Sequence, residues 1–195
     1  MFYYTEGIKQ AKLYDNKPLA VEMFDRAVAI DPMYSPAYYE AANALSLSDP
    51  LRALQYCERA NLLDSTNVWY RAQLGRLLLI TENYERAQKI YEQLIELSPR
   101  SPENYSMLAA LYSYNRQPYS AIAVLDKAEQ VVGTIEQLSA QKRELLIGVG
   151  LYDSAIDEAR ALAASAPYNY ESYLALADLY AQTRKESIDM ATYNM

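Results

Sequence analysis

Residues 74–99 read LGRLLLITENYERAQKIYEQLIELSP, two helices joined by one tight turn. Leu74, Leu77 and Leu78, and then Ala87, Tyr91 and Leu94, recur at intervals of three and four, which gathers side chains on one face of a helix. Glu82-Asn83-Tyr84 forms the connection, and Pro99 stops the second segment. Gly75 lets the two helix axes come close. Tyr91 fills the wider gap and keeps its hydroxyl near an edge.

The same arrangement continues on both sides. Ala87-Tyr91-Leu94-Pro99 is preceded by Ala20-Phe24-Ala27-Pro32 and Ala53-Cys57-Ala60-Ser65. It is followed by Ala121-Leu125-Ala128-Gly133 and Ala155-Ala159-Leu162-Pro167. The leading alanines Ala20, Ala53, Ala87, Ala121 and Ala155 thus recur with a period of about 34 residues. A companion pattern leads each unit: Tyr4, Tyr38, Tyr105 and Tyr173, then the small residues Ala42, Gly75, Ala109 and Ala177. Self-similarity at this period means stacked helix pairs, because one pair cannot hide its own apolar stripe and must lean on the next. The expected units are 1–32, 33–65, 66–99, 100–133, 134–167 and an incomplete 168–195, forming one array. Ser35-Pro36 and Ser101-Pro102 read as a capping serine followed by proline in the first turn. Pro32, Pro99 and Pro167 read as stops. In the fifth unit Arg143 stands where a small residue is expected and Ser139 where an aromatic is expected, so looser stacking is expected there. Asp189 replaces the alanine of the last unit, which reaches Met195 inside its second helix. An apolar end of this kind calls for further repeats or for cover by another copy.

Leu74-Gly75, Leu78, Tyr84, Ala87, Tyr91 and Pro99 resemble a tetratricopeptide repeat, and Leu108-Ala109, Tyr112, Ala121 and Ala128 match it nearly as well. The resemblance extends over essentially the whole chain. It implies an all-α, right-handed superhelical solenoid of antiparallel helix pairs, about five and a half repeats long. Tyr3-Tyr4-Thr5-Glu6-Gly7 is similar to the opening of long bacterial multi-repeat proteins, which often follow an export signal. On that likeness a leader before Met1 would place the chain in the periplasm or cell envelope, and without one it would be cytoplasmic.

Composition narrows the chemistry. The 195 residues are 51% hydrophobic with a net charge of −7, a balance that disfavours nucleic acid and anionic lipid as partners. Lys9, Lys12 and Lys17 are interspersed with acids and read as solvated surface. No apolar run reaches the ~18 residues of a membrane span. The absence of histidine removes imidazole acid–base chemistry and histidine metal ligation, and one cysteine cannot form a disulfide within the chain or a multi-thiolate zinc site. Cys57 sits at the register of Phe24 and Tyr91, so it reads as packing. Gly148-Val149-Gly150 is a fragment of a dinucleotide fingerprint with no strand before it, and carboxylate pairs such as Glu92 and Glu96 read as surface. The expectation is a non-enzymatic chain without cofactor or metal.

In the family that the sequence resembles, first helices line the partner-binding groove. Helical spacing then puts Tyr39, Asn43, Trp69, Arg76, Ser106 and Tyr114 on that face, a mixed surface suited to a peptide or protein segment. Trp69 either faces this groove or packs on the preceding unit. Arg76 either holds a ligand carboxylate or carbonyl, together with Asn43, or pairs with an acid such as Glu40. The family's clamp for a C-terminal carboxylate needs several Lys, Arg and Asn side chains together, and only Asn43 and Arg76 match it. The competing expectations are a structural or regulatory stalk, with self-association through the C-terminal repeat, and binding of a carbohydrate or small ligand through Trp69 and the tyrosines.

Overall fold

The computed structural model describes residues 1–165 and 170–193, with the backbone alone for 182 and 184–193. Pro167 and Met195 lie outside the described residues, as does the side chain of Asp189. All regular structure among the described residues is helical: α1 (Phe2–Lys12), α2 (Lys17–Ile30), α3 (Ser35–Leu45), α4 (Pro50–Leu63), α5 (Val68–Ile80) and α6 (Tyr84–Leu97). Then follow α7 (Pro102–Tyr114), α8 (Pro118–Val132), α9 (Glu136–Gly148), α10 (Tyr152–Ser165) and α11 (Tyr170–Tyr193). The helices cluster into two compact units, Met1–Ser98 and Pro99–Met195.

In the first unit α1 pairs with α2, α3 with α4 and α5 with α6. Each pair leans on the next through α2 against α3 and α4 against α5. First helices also meet side by side, α1 against α3 here and α7 against α9 in the second unit. The stacking follows from the small-against-large register. A methyl group on Gly7 would lie 2.6 Å from the Phe24 ring, and one on Gly75 would lie 3.2 Å from Tyr91. Phe24, Leu77, Leu78, Leu94, Tyr105 and Leu125 are fully buried, each contributing roughly 1.5–3 kcal/mol as apolar surface leaves water.

Four of the five hairpin turns, all but the one between α3 and α4, share one backbone device. Asp15, Glu82, Arg116 and Gly150 have φ of 48, 59, 57 and 77°. After the last three, the next N–H reaches back to close the helix: Asn83 to Leu78 O at 2.8 Å, Gln117 to Tyr112 O at 2.9 Å and Leu151 to Leu146 O at 2.8 Å. This is the left-handed stop that caps a helix C-terminus. Gly148-Val149-Gly150 is therefore a turn of this series.

Helix starts depart from expectation. Ser35 is the first residue of α3 rather than its cap, and the Ser101 hydroxyl donates to the Glu103 carboxylate at 2.9 Å instead of accepting from the backbone. Asn16, Asp49 and Asn67 do cap with their side chains; Asn67 Oδ1 accepts from the N–H groups of Trp69 and Tyr70 at 3.1 and 3.3 Å. The last unit is also corrected. Where a turn and a second helix were expected before Met195, α11 runs unbroken from Tyr170 to Tyr193, since no proline or glycine interrupts it.

Two ionic devices tie second helices together. In the first unit Arg52 of α4 reaches Asp25 of α2 at 2.6 Å, and Arg86 of α6 reaches Glu58 of α4 at 2.5 Å. The two arginines hold equivalent places in successive repeats, as do the two acids, so one contact is used twice; Tyr56 joins the first copy through Asp25. At the next step the arginine position is Ser120. The second unit uses a different bond. Lys142 of α9 meets Asp126 and Glu129 of α8 at 2.7 and 2.9 Å and Glu158 of α10 at 2.6 Å. Burial pulls the Lys142 pKa down, but hydrogen bonds to the three carboxylates outweigh it and leave the value raised. In this fifth unit Arg143 Nη1 and Ser139 Oγ are buried without a hydrogen-bond partner among the described residues.

Candidate functional site

Of the residues singled out by helical spacing, the first unit carries Tyr39, Asn43, Trp69 and Arg76, and the second carries Ser106 and Tyr114. Tyr39 and Asn43 stand half-buried on α3. The Tyr39 ring packs on Tyr70 of α5, with centroids 4.8 Å apart and planes 34° from parallel. Trp69, the neighbour of Tyr70, is 72% exposed. The Asn67 cap fixes the start of α5 and so orders the backbone that presents the indole. At that exposure the indole is not buried against the preceding unit.

Arg76 is exposed, and its Nε and Nη2 donate to Gln73 Oε1 at 3.0 and 2.6 Å. Glu40, the acid considered as its partner, instead faces Lys12 at 3.7 Å. The Arg76 charge still reaches its surroundings, drawing the pKa values of Cys57 and Tyr91 downward against the larger effect of burial. Cys57 is fully buried, its thiol donating to Tyr70 O at 3.4 Å, and burial pushes its pKa up to about 12. A thiol held protonated in this way packs rather than reacts.

Ser106 does not reach an open face. It is 8% exposed, and its hydroxyl donates to Gln141 Oε1 at 2.9 Å while Gln141 Nε2 donates back to Ser106 O at 3.1 Å. That reciprocal clasp joins α7 to α9. Tyr114 lies exposed at the end of α7.

Helical spacing alone did not reveal two further features. Arg71 replaces the tyrosine at the start of α5 yet keeps its bond: Tyr105 Oη donates to Pro99 O, six residues back, and Arg71 Nη2 donates to Ser65 O, also six back. The other is an apolar row. Leu13, Leu47 and Ile80 share one register in three successive repeats and are 74, 83 and 50% exposed. Tyr114 occupies the same register in the second unit. The row was detectable from the period, but apolar residues at helix ends do not break an amphipathic pattern, so they do not stand out.

No helix among the described residues is long and apolar enough to cross a membrane. Among those residues no group of three or more acidic or cysteine side chains is arranged to hold a metal ion. The second unit has a cleft of about 460 Å³ bordered by Asp126, Lys142, Leu146, Leu151 and Asp157, with Lys142 tied to its carboxylates.

Comparison with known proteins agrees with this geometry. The family model described as tetratricopeptide repeat matches residues 44–112. The chain carries tetratricopeptide repeats over this stretch. Its repeats superpose on the crystal structure of MamA with a TM-score of 0.75 at 17% identity, covering 86% of this chain and 94% of that one. A tetratricopeptide repeat protein from Parabacteroides merdae gives 0.73 at 19% identity, over 98% and 77% of the two chains. YrrB, described as a TPR protein with an unusual peptide-binding site, gives 0.62 at 22% identity, over 84% and 85%. Identities this low establish a shared fold. No curated protein matches the sequence.

Proposed function

We propose that this tetratricopeptide-repeat protein is a non-enzymatic scaffold that binds a peptide or protein segment on the first-helix face of its first unit. The observation that carries this reading is the exposed Trp69 indole at the head of α5, next to the Tyr39–Tyr70 aromatic pair and on the same helix as Arg76. Large aromatic side chains with an arginine nearby are the residue types on which binding energy concentrates. The peptide-binding site named for YrrB is consistent with such a role for the fold. Ser106 is excluded, since its hydroxyl is held by Gln141. The test is capture of native partners with the full chain, identified by mass spectrometry, followed by affinity measurement on a purified partner. Trp69→Ala with Arg76→Ala weakens binding by at least about tenfold, the loss of one modest hot spot. Unchanged affinity with unchanged helicity would mean that the face is wrongly assigned.

A second reading has its own observation. Tyr170, Tyr173, Leu174 and Tyr180 are exposed on α11 at helical spacing, an apolar stripe in which Tyr180 Oη accepts from Arg160 Nη2 at 2.8 Å. Such a stripe fits self-association through the last helix. Sedimentation velocity tests it: the chain sediments as a concentration-dependent oligomer, and Leu174→Glu returns it to monomer.

A further inference from the structure

Charge is not spread evenly over the first unit. Its first helices α1, α3 and α5 carry four basic residues, Lys9, Lys12, Arg71 and Arg76, against two acidic ones, Glu6 and Glu40. The remainder of Met1–Ser98 carries six basic residues against eleven acidic. In a chain of net charge −7, the layer that offers the candidate face is the positive part.

The positive groups are also the more available ones. The Lys9 and Lys12 side chains are more exposed than Glu6 and Glu40, and they approach those acids only to 3.7 Å, longer than a hydrogen bond. Among the described residues Arg76 meets the neutral Gln73 amide rather than a carboxylate. Lys9, Asn43 and Arg76 share one register in three successive repeats. Four residues further along stand Leu13, Leu47 and Ile80, the first two just past the ends of α1 and α3 and the third the last residue of α5. The ends of the three first helices thus hold two parallel rows, one polar to cationic and one apolar.

We propose that this double row binds an acidic, amphipathic protein segment, its carboxylates meeting Lys9, Lys12 and Arg76 and its apolar side chains lying on Leu13, Leu47 and Ile80. The inference rests on the peptide-binding reading above and adds the chemistry of the partner. Opposite charge supplies orientation and association rate, and the apolar row supplies area removed from water. Side-chain carboxylates suffice, because the cations are distributed along a row instead of converging on one terminal group.

The experiment measures fluorescence anisotropy on the full chain with three labelled, C-terminally amidated probes of alternating sequence: Glu-Leu, Gln-Leu and Lys-Leu. Glu-Leu binds about tenfold or more tighter than Gln-Leu, as several partly exposed charge pairs acting together would give, and the preference shrinks as salt is added. Lys-Leu binds weakest. Lys9→Gln, Lys12→Gln and Arg76→Gln combined remove the preference while helicity stays unchanged, and Leu47→Ser with Ile80→Ser weakens all three probes. If Gln-Leu binds as tightly as Glu-Leu, or the triple variant keeps the preference, the acidic specificity is wrong and the peptide face stands. If no amidated probe binds but the free-acid Glu-Leu peptide does, a terminal carboxylate is the ligand and the inference is overturned. If nothing binds, the inference falls, and the partner-capture experiment with Trp69 and Arg76 variants judges the face separately.

Discussion

At the scale of single residues, close packing decides most outcomes. Gly7→Ala would place a methyl group 2.6 Å from the Phe24 ring, and the overpacking cost of about 1–3 kcal/mol exceeds the ~1 kcal/mol that alanine gains over glycine in a helix. Gly75→Ala meets Tyr91 at 3.2 Å, a gap that small ring movements open, so the two terms come close to cancelling. Urea denaturation of both variants is expected to show a clear loss for the first and a change within about 1 kcal/mol for the second. Cys57 is expected to resist an aromatic disulfide reagent in the native chain and to react fully once denatured; rapid native reaction would contradict its burial. The Cys57 position was legible because Phe24 and Tyr91 share its register. Ser106 was not, since its partner Gln141 lies 35 residues away and no local pattern announces it. Ser101 illustrates the same limit at short range: a hydroxyl with both a backbone N–H and the Glu103 carboxylate in reach is not assigned by residue type.

At the scale of elements, turns and ion pairs set how helices are joined. Glu82 and Arg116 hold φ of 59 and 57°, a conformation that costs a side-chain-bearing residue about 1–2 kcal/mol and glycine almost nothing. After the greater freedom of glycine in the unfolded chain is subtracted, Glu82→Gly is expected to stabilise by about 0.5 kcal/mol and Gly150→Ala to destabilise by about 1 kcal/mol. Thermal denaturation of the pair checks both signs together. Lys142→Met leaves Glu158, 6% exposed at its side chain, without its cation, and removing one partner of a buried pair costs about 3 kcal/mol. Restoring much of that stability with Glu158→Gln in the same chain would identify the stranded charge as the cause. Helix ends were legible wherever proline or an Asx residue stood in the turn, as at Asn16, Asp49 and Pro99. The end of α11 was not, because a repeating register places a turn near 183 even where Arg184 and Lys185 leave the helix free to continue.

For the whole molecule, the clearly shifted groups among the described residues point the same way. Cys57 is raised from 9.0 to about 12 by burial, Tyr91 and Tyr105 are raised by burial, and Lys142 is raised despite burial. Each binds its proton more tightly in the folded chain, so its contribution is complete below its unfolded value and is lost as pH rises through the folded one. Since histidine is absent, stability is expected to hold steady from about pH 6 to 8 and to fall above about pH 9, with the midpoint of urea unfolding as the measurement. The all-helical fold was legible from the period alone. The face's charge was not, because a net value of −7 conceals a basic layer inside an acidic chain. The Arg52–Asp25 and Arg86–Glu58 contacts have one more implication, for how such a chain lengthens. Each block presents an arginine to its predecessor and an acid to its successor, so a duplicated segment 50–83 inserted after Asn83 would arrive with matching ends on both borders. Growth by tandem copying therefore needs no new mutations in this region. Past Ser120 the matching code lapses, and a copy spliced there would need a seam of its own.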